Sequence, residues 1–163
     1  MESILVNLID RLSNELPWAR TIDEDYGQLE ALDDENIDMY PLTFPAILID
    51  LPGTDWSDSG DWTQHGTCQV RVRLILDCYD DTHGGSNTVD QIMQREEKRK
   101  ALHTLLQGYR ANDKGALIRT RSKFFTFNHG IKVYEENYTC AISEATRETL
   151  KVERKKLKVV LKS

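Results

Sequence analysis

The side chains that could carry acid–base, nucleophilic or metal chemistry are spread along this chain, and their spacing decides what they can do. Asp77, Asp80 and Asp81 stand at the end of an apolar run and offer the oxygen ligands that Mg²⁺ prefers. They keep open a small metal-dependent nuclease, although no lysine follows them in the order such an enzyme uses. His65, His83, His103 and His129 form neither an HExxH pair nor a Cys-His set, which argues against zinc. Ser57, Ser59 and Ser86 lack the glycine-flanked elbow that exposes a nucleophile. Gly84-Gly85-Ser86 lacks the lysine of a phosphate-binding loop and reads as a helix cap. Cys68, Cys78 and Cys140 include no CxxC pair. Cys68 and Cys78 share one extended segment and would stand roughly 33 Å apart at about 3.3 Å per residue, too far to bridge or share a metal. Small buried hydrophobes describe all three better. The expectation is a chain that is not an enzyme, with no catalytic residue, no metal ligand and no cofactor.

What remains are cations and aromatics suited to contact. Arg119, Arg121 and Lys123 share one parity of an extended segment, with Phe124, Phe125 and Phe127 beside them. Such interleaving can stack and neutralise a single strand, so a nucleic-acid-binding accessory protein is a second alternative. The net charge of −6 is the wrong footprint for a dedicated binder. The phenylalanines fit a sheet core better, and the arginines fit acids on another strand or subunit. Charge is also graded along the chain. Residues 1–65 carry two basic and fifteen acidic side chains, residues 66–146 twelve and ten, and residues 147–163 seven and two. That polarity can solubilise, or it can steer head-to-tail contact between like subunits.

The elements that must position these residues follow from periodicity. Ile4, Leu5, Leu8, Ile9, Leu12 and Leu16 recur at helical spacing, so residues 2–16 read as an amphipathic helix stopped by Pro17. Residues 18–40 are acidic and weakly patterned and read as an excursion with a short helical turn near residues 29–32. Phe44-Pro45-Ala46-Ile47-Leu48-Ile49-Asp50 reads as a buried strand, and residues 53–66 as a polar loop displaying Trp56 and Trp62. Cys68, Val70, Val72, Leu74, Leu76 and Cys78 alternate with Gln69, Arg71, Arg73, Ile75 and Asp77, which predicts one long strand with a core face and a wet face. A second helix runs from Ser86 or Asn87 to Gly108 around a fully charged centre, Arg95-Glu96-Glu97-Lys98-Arg99-Lys100. Strands at residues 116–127 and 131–142 flank the hairpin loop Asn128-His129-Gly130. The fold class is α+β, an antiparallel sheet of about four to five strands with two main helices packed on one face. Residues 1–146 form one domain, and residues 147–163 a basic extended tail or arm. No apolar run approaches the roughly 18 residues that cross a bilayer, and the N-terminus lacks the features of a secretory signal. A cytosolic protein with no membrane partner is expected.

One family shares this order of elements. An N-terminal helix precedes the strand Phe44-Pro45-Ala46-Ile47-Leu48-Ile49, a loop leads into a long strand at residues 66–79, and a helix ends Ala101-Leu102-His103-Thr104-Leu105-Leu106-Gln107-Gly108 before the final strands. Over roughly residues 1–143 the chain resembles the tail-terminator (tail-completion) and neck proteins of long-tailed bacteriophages and prophages. The resemblance lies in element order and texture; residues 23–38 and 147–163 have no counterpart in it. It implies a hexameric ring of like subunits that caps the finished tail tube and joins it to the head, a virion component assembled in the host cytoplasm. Its partners would be the tail tube protein and head–tail connector proteins, with DNA passing transiently through the ring. Candidate contacts are Trp56, Trp62, Arg71, Arg73, Arg95, Arg99, Arg119 and Arg121, since interface cores favour aromatics and arginine. Asp23, Glu24, Asp25, Asp33, Asp34 and Glu35 are candidate lumen acids that would repel passing DNA. Another head–tail neck protein or a minor tail protein fits the same residues.

Overall fold

The computed structural model describes residues 2–33, 42–60, 62–78, 87–128 and 130–145. Helix α1 (Glu2–Glu15) buries Ile4, Leu5, Leu8 and Leu12 along one stripe. Helix α2 (Thr88–Leu106) buries Leu102 and Leu106, near its C-terminal end, and Gly108 follows at φ +79°, a conformation that ends helices. The strands are β1 (Thr21–Glu24), β2 (Ala46–Asp58), β3 (Thr63–Asp77), β4 (Ile118–Phe127) and β5 (Ile131–Ala145), in the order β1-β2-β3-β5-β4. All neighbours are antiparallel except β1 and β2, which run parallel. The apolar stripes of both helices meet Ile47, Ile49, Val70, Val72 and Leu74 in one cluster, so both lie on the same face of the sheet. This is the α+β arrangement that the periodicity predicts.

Three expectations need correction. Residues 53–66 are not a loop: β2 and β3 stay paired out to Asp58↔Gln64, and the turn between them is short. Asp58 Oδ1 accepts from the Gly60 N–H at 3.1 Å, and Gly60 (φ +75°) and Trp62 (φ +62°) take left-handed backbone. Residues 18–40 are not simply an excursion, because Thr21–Glu24 pairs in register with residues 46–49. Four residues at a sheet edge are too few to show alternation. The expected helical turn is present, as a 3-10 turn at Glu30–Asp33. Finally, β3 starts at Thr63 and ends at Asp77, and its wet face is covered at one end. There a second cluster, Leu29, Ala46, Leu48, Ile75, Ile131 and Val133 with Phe44, Phe125 and Phe127, closes the face opposite the helices, so residues 72–76 are buried on both sides. The basic tail, residues 147–163, lies outside the described residues.

Candidate functional site

The arginines singled out by sequence fall into different environments. Arg73 is an interior residue. Its guanidinium bridges Asp25 and Glu30, each at 2.5 Å, and the Asp25 side chain is 2% exposed. Desolvation works against the charged Arg73, and the hydrogen bonds to Glu30 and Asp25 outweigh it and keep it protonated. The Arg73 hydrogen bond in turn holds the Glu30 carboxyl below its ordinary range. Arg71, one pleat away and partly exposed, pairs with Asp50 at 2.7 Å and stands 3.7 Å from Asp25. Asp25 is therefore a structural anion and not a lumen acid, and Arg73 is not a surface contact. Asp23 is half-buried and Glu24 exposed. The Asp33 side chain, Asp34 and Glu35 lie outside what is described.

A second network ties α2 to the sheet. Glu136 is 2% exposed. It accepts from Arg99 at 3.3 Å, from Arg119 at 3.0 Å and from the Ser122 hydroxyl at 2.8 Å, while Arg99 also pairs with Glu96 at 2.7 Å. Arg119 and Arg99 thus meet acids within the same chain. Beside them His103 Nδ1 and the Tyr138 hydroxyl lie 2.9 Å apart. Burial pushes the Tyr138 hydroxyl up and His103 down, with Arg119 adding to the latter, so a protonated phenol faces a neutral imidazole. Sequence reading passed over Glu136. The signal was its parity with Tyr138, Cys140 and Ile142, which places a carboxylate on a core face and obliges it to find cations. Cys68 has a cysteine neighbour in Cys140, directly opposed to it across β3 and β5. Their thiol contact and burial push Cys140 up.

What remains exposed is concentrated elsewhere. Trp56 stands opposite Gly66 with its ring laid over the glycine, where a Cβ would come within 2.9 Å of Trp56 Cε3. It is still 37% exposed, and Trp62 at the hairpin turn is 62% exposed. Val89, Ile92 and Met93 form an uncovered stripe on the first turns of α2, and Phe124 on β4 stays 56% exposed with Tyr134 and the Arg99 guanidinium against its ring. Arg121 and Lys123 are exposed, whereas Phe125 and Phe127 join the second core cluster. At the opposite end of the β2–β3 ribbon from Trp62, a cleft of about 310 Å³ opens between α2, Phe44-Pro45 and the end of β3, with Arg20, Arg95 and Lys98 around it. Arg95 Nη1 reaches Cys78 Sγ at 3.6 Å, and its Nε is buried with no partner.

No family model and no curated protein matches this chain. Among the described residues no three His, Cys, Asp or Glu side chains gather as a metal site, and Asp77 is exposed. Asp80 and Asp81 lie outside the described residues. No helix among them is long and apolar enough to cross a membrane.

Proposed function

We propose that this chain is a structural assembly protein of a long-tailed bacteriophage or prophage, a tail terminator. On this reading its subunits form a hexameric ring at the head-proximal end of the tail tube, contact the tube and the head–tail connector proteins, and let DNA pass. The observation that carries the reading is where apolar surface is left uncovered. Trp56, Trp62, Val89, Ile92, Met93 and Phe124 are all exposed on a protomer whose buried charges are already paired inside it. Scattered single hydrophobes would mean little, but an apolar helical stripe and two tryptophans on one hairpin are surface suited to a protein partner. The order of elements adds the specific identity through the resemblance to tail terminators. The single-strand alternative loses support because two of its three phenylalanines, Phe125 and Phe127, pack half-buried against the second core cluster.

The test is assembly with and without the protein. Particles assembled in its absence should carry tail tubes that grow past their normal length and heads left unjoined, and the purified chain should sediment at about six times its protomer mass, alone or on its tube. Tails of normal length joined to heads in its absence would refute the reading.

A further inference from the structure

We infer that the acidic tip of the β2–β3 hairpin of one molecule docks in the basic cleft of a second copy, an inference that rests on the self-assembly reading above. Charge is the first support. The tip carries Asp55 and Asp58, with Asp61 adjacent in sequence, and residues 51–63 include no Lys or Arg. The cleft presents Arg20, Arg95 and Lys98 against one carboxylate, Asp77. None of these three cations pairs with a carboxylate among the described residues. Lys98 leans over the Trp18 ring, 5.9 Å from its centroid, and Arg95 keeps its buried Nε without a partner. Complementary patches of this kind guide and orient association.

Position is the second. The cleft adjoins the Ala46↔Ile75 end of the ribbon and the tip lies past Asp58↔Gln64. At about 3.3 Å per residue, the length of β3 sets them roughly 45 Å apart. A molecule therefore cannot fill its own cleft with its own tip. Each copy offers one of each, so the contact is heterologous: it repeats head to tail and closes into a ring when the rotation per step allows.

The third support is backbone strain at the tip. Trp62 holds φ at +62°, a region that bulky side chains avoid, whereas the other hairpin meets the same need with Asn128 at +41°. The ring so presented has an apolar counterpart in Phe44 and Pro45 of the cleft wall.

Charge exchange in the full-length chain tests this by sedimentation velocity at about 0.1 M salt, where surface charges are only partly screened. Asp55→Lys with Asp58→Lys, and separately Arg95→Glu with Lys98→Glu, should each weaken self-association by roughly tenfold or more. Mixed one to one, the two variants should regain it, because native tip meets native cleft and reversed tip meets reversed cleft. Asp55→Asn with Asp58→Asn, which keeps side-chain shape, should weaken it less, and circular dichroism checks that each variant is folded. Assembly unchanged by both reversals, or lost and not regained on mixing folded variants, overturns the contact and leaves self-assembly standing. A wild-type chain that stays monomeric at millimolar concentration and on its tube overturns both.

Discussion

At the end of the β2–β3 ribbon nearest the helices, Ala46, Ile47, Leu48 and Ile49 lie against residues 72–75 of β3, and all eight positions are buried. At the other end, Trp56, Ser57 and Asp58 lie against Gly66, His65 and Gln64, and nearly every side chain meets solvent. The same two strands are core at one end and free surface at the other. Backbone pairing is continuous apart from one irregularity between Asp50 and Gly53, so packing, not hydrogen bonding, distinguishes the ends. Stability should therefore be lost by mutation at the helix end and assembly by mutation at the tip.

The largest effect belongs to the buried cation. Arg73→Ala leaves Asp25, whose side chain is 2% exposed, without its closest counter-charge. The unfolding free energy should fall by about 3–5 kcal/mol in urea titration. Arg71→Ala, one pleat toward the tip and pairing with the more exposed Asp50, should cost less than about 1 kcal/mol. Equal losses at both positions would erase the contrast between the two ends.

Core truncation comes next. Leu74→Ala, at a fully buried site, should lower stability by about 2–5 kcal/mol. Thr67→Ala, exposed on the same strand but on the face away from the helices, should stay within about 0.5 kcal/mol.

These contrasts also mark what could be read in advance. The alternation from Cys68 to Leu76 was legible because one face of that stretch meets the helices throughout. The paired segment around Trp56 was not, because a strand with both faces in water has no reason to alternate and takes on loop-like composition. β1 has four residues, too few for a period. The Asp25–Arg73 pair joins positions 48 residues apart, and charge alone does not say which acid answers an arginine. A local clue existed: Arg73 interrupts Val72, Leu74, Ile75 and Leu76, a run apolar in both parities, which marks a strand covered on both faces. The exposed tryptophans were legible as surface residues, but their place on a rigid ribbon depended on the pairing that was missed.

Mild acid should act on the body and spare the tip. Burial, followed by Arg119 and then Arg99, holds His103 below its ordinary 6.5, with Glu136 opposing. Its folded pKa is depressed, so the unfolded chain binds the proton first. The stability from neutral His103 is complete above 6.5 and is lost as pH falls through the lower folded value. Glu30, also depressed, adds a second loss as pH falls below 4.5. Urea midpoints should drop from pH 7 to pH 5, and His103→Gln, which keeps an acceptor but does not titrate, should flatten that first drop. A midpoint independent of pH in this window would detach His103 from the folded core.

The smallest stability change, and the sharpest division of roles, is expected at Trp62. Its positive φ is disfavoured for a bulky side chain and natural for glycine, so Trp62→Gly relieves strain at the turn while removing the ring and adding chain entropy. These terms oppose each other, and the unfolding free energy should move by no more than about 1 kcal/mol. Self-association should nevertheless weaken, because the most exposed large aromatic of the hairpin is gone. If the variant instead unfolds readily and its association is unchanged, Trp62 serves the turn and the tip is no contact surface. If stability holds and assembly falls, the strain at this turn is maintained for a neighbour and not for the fold.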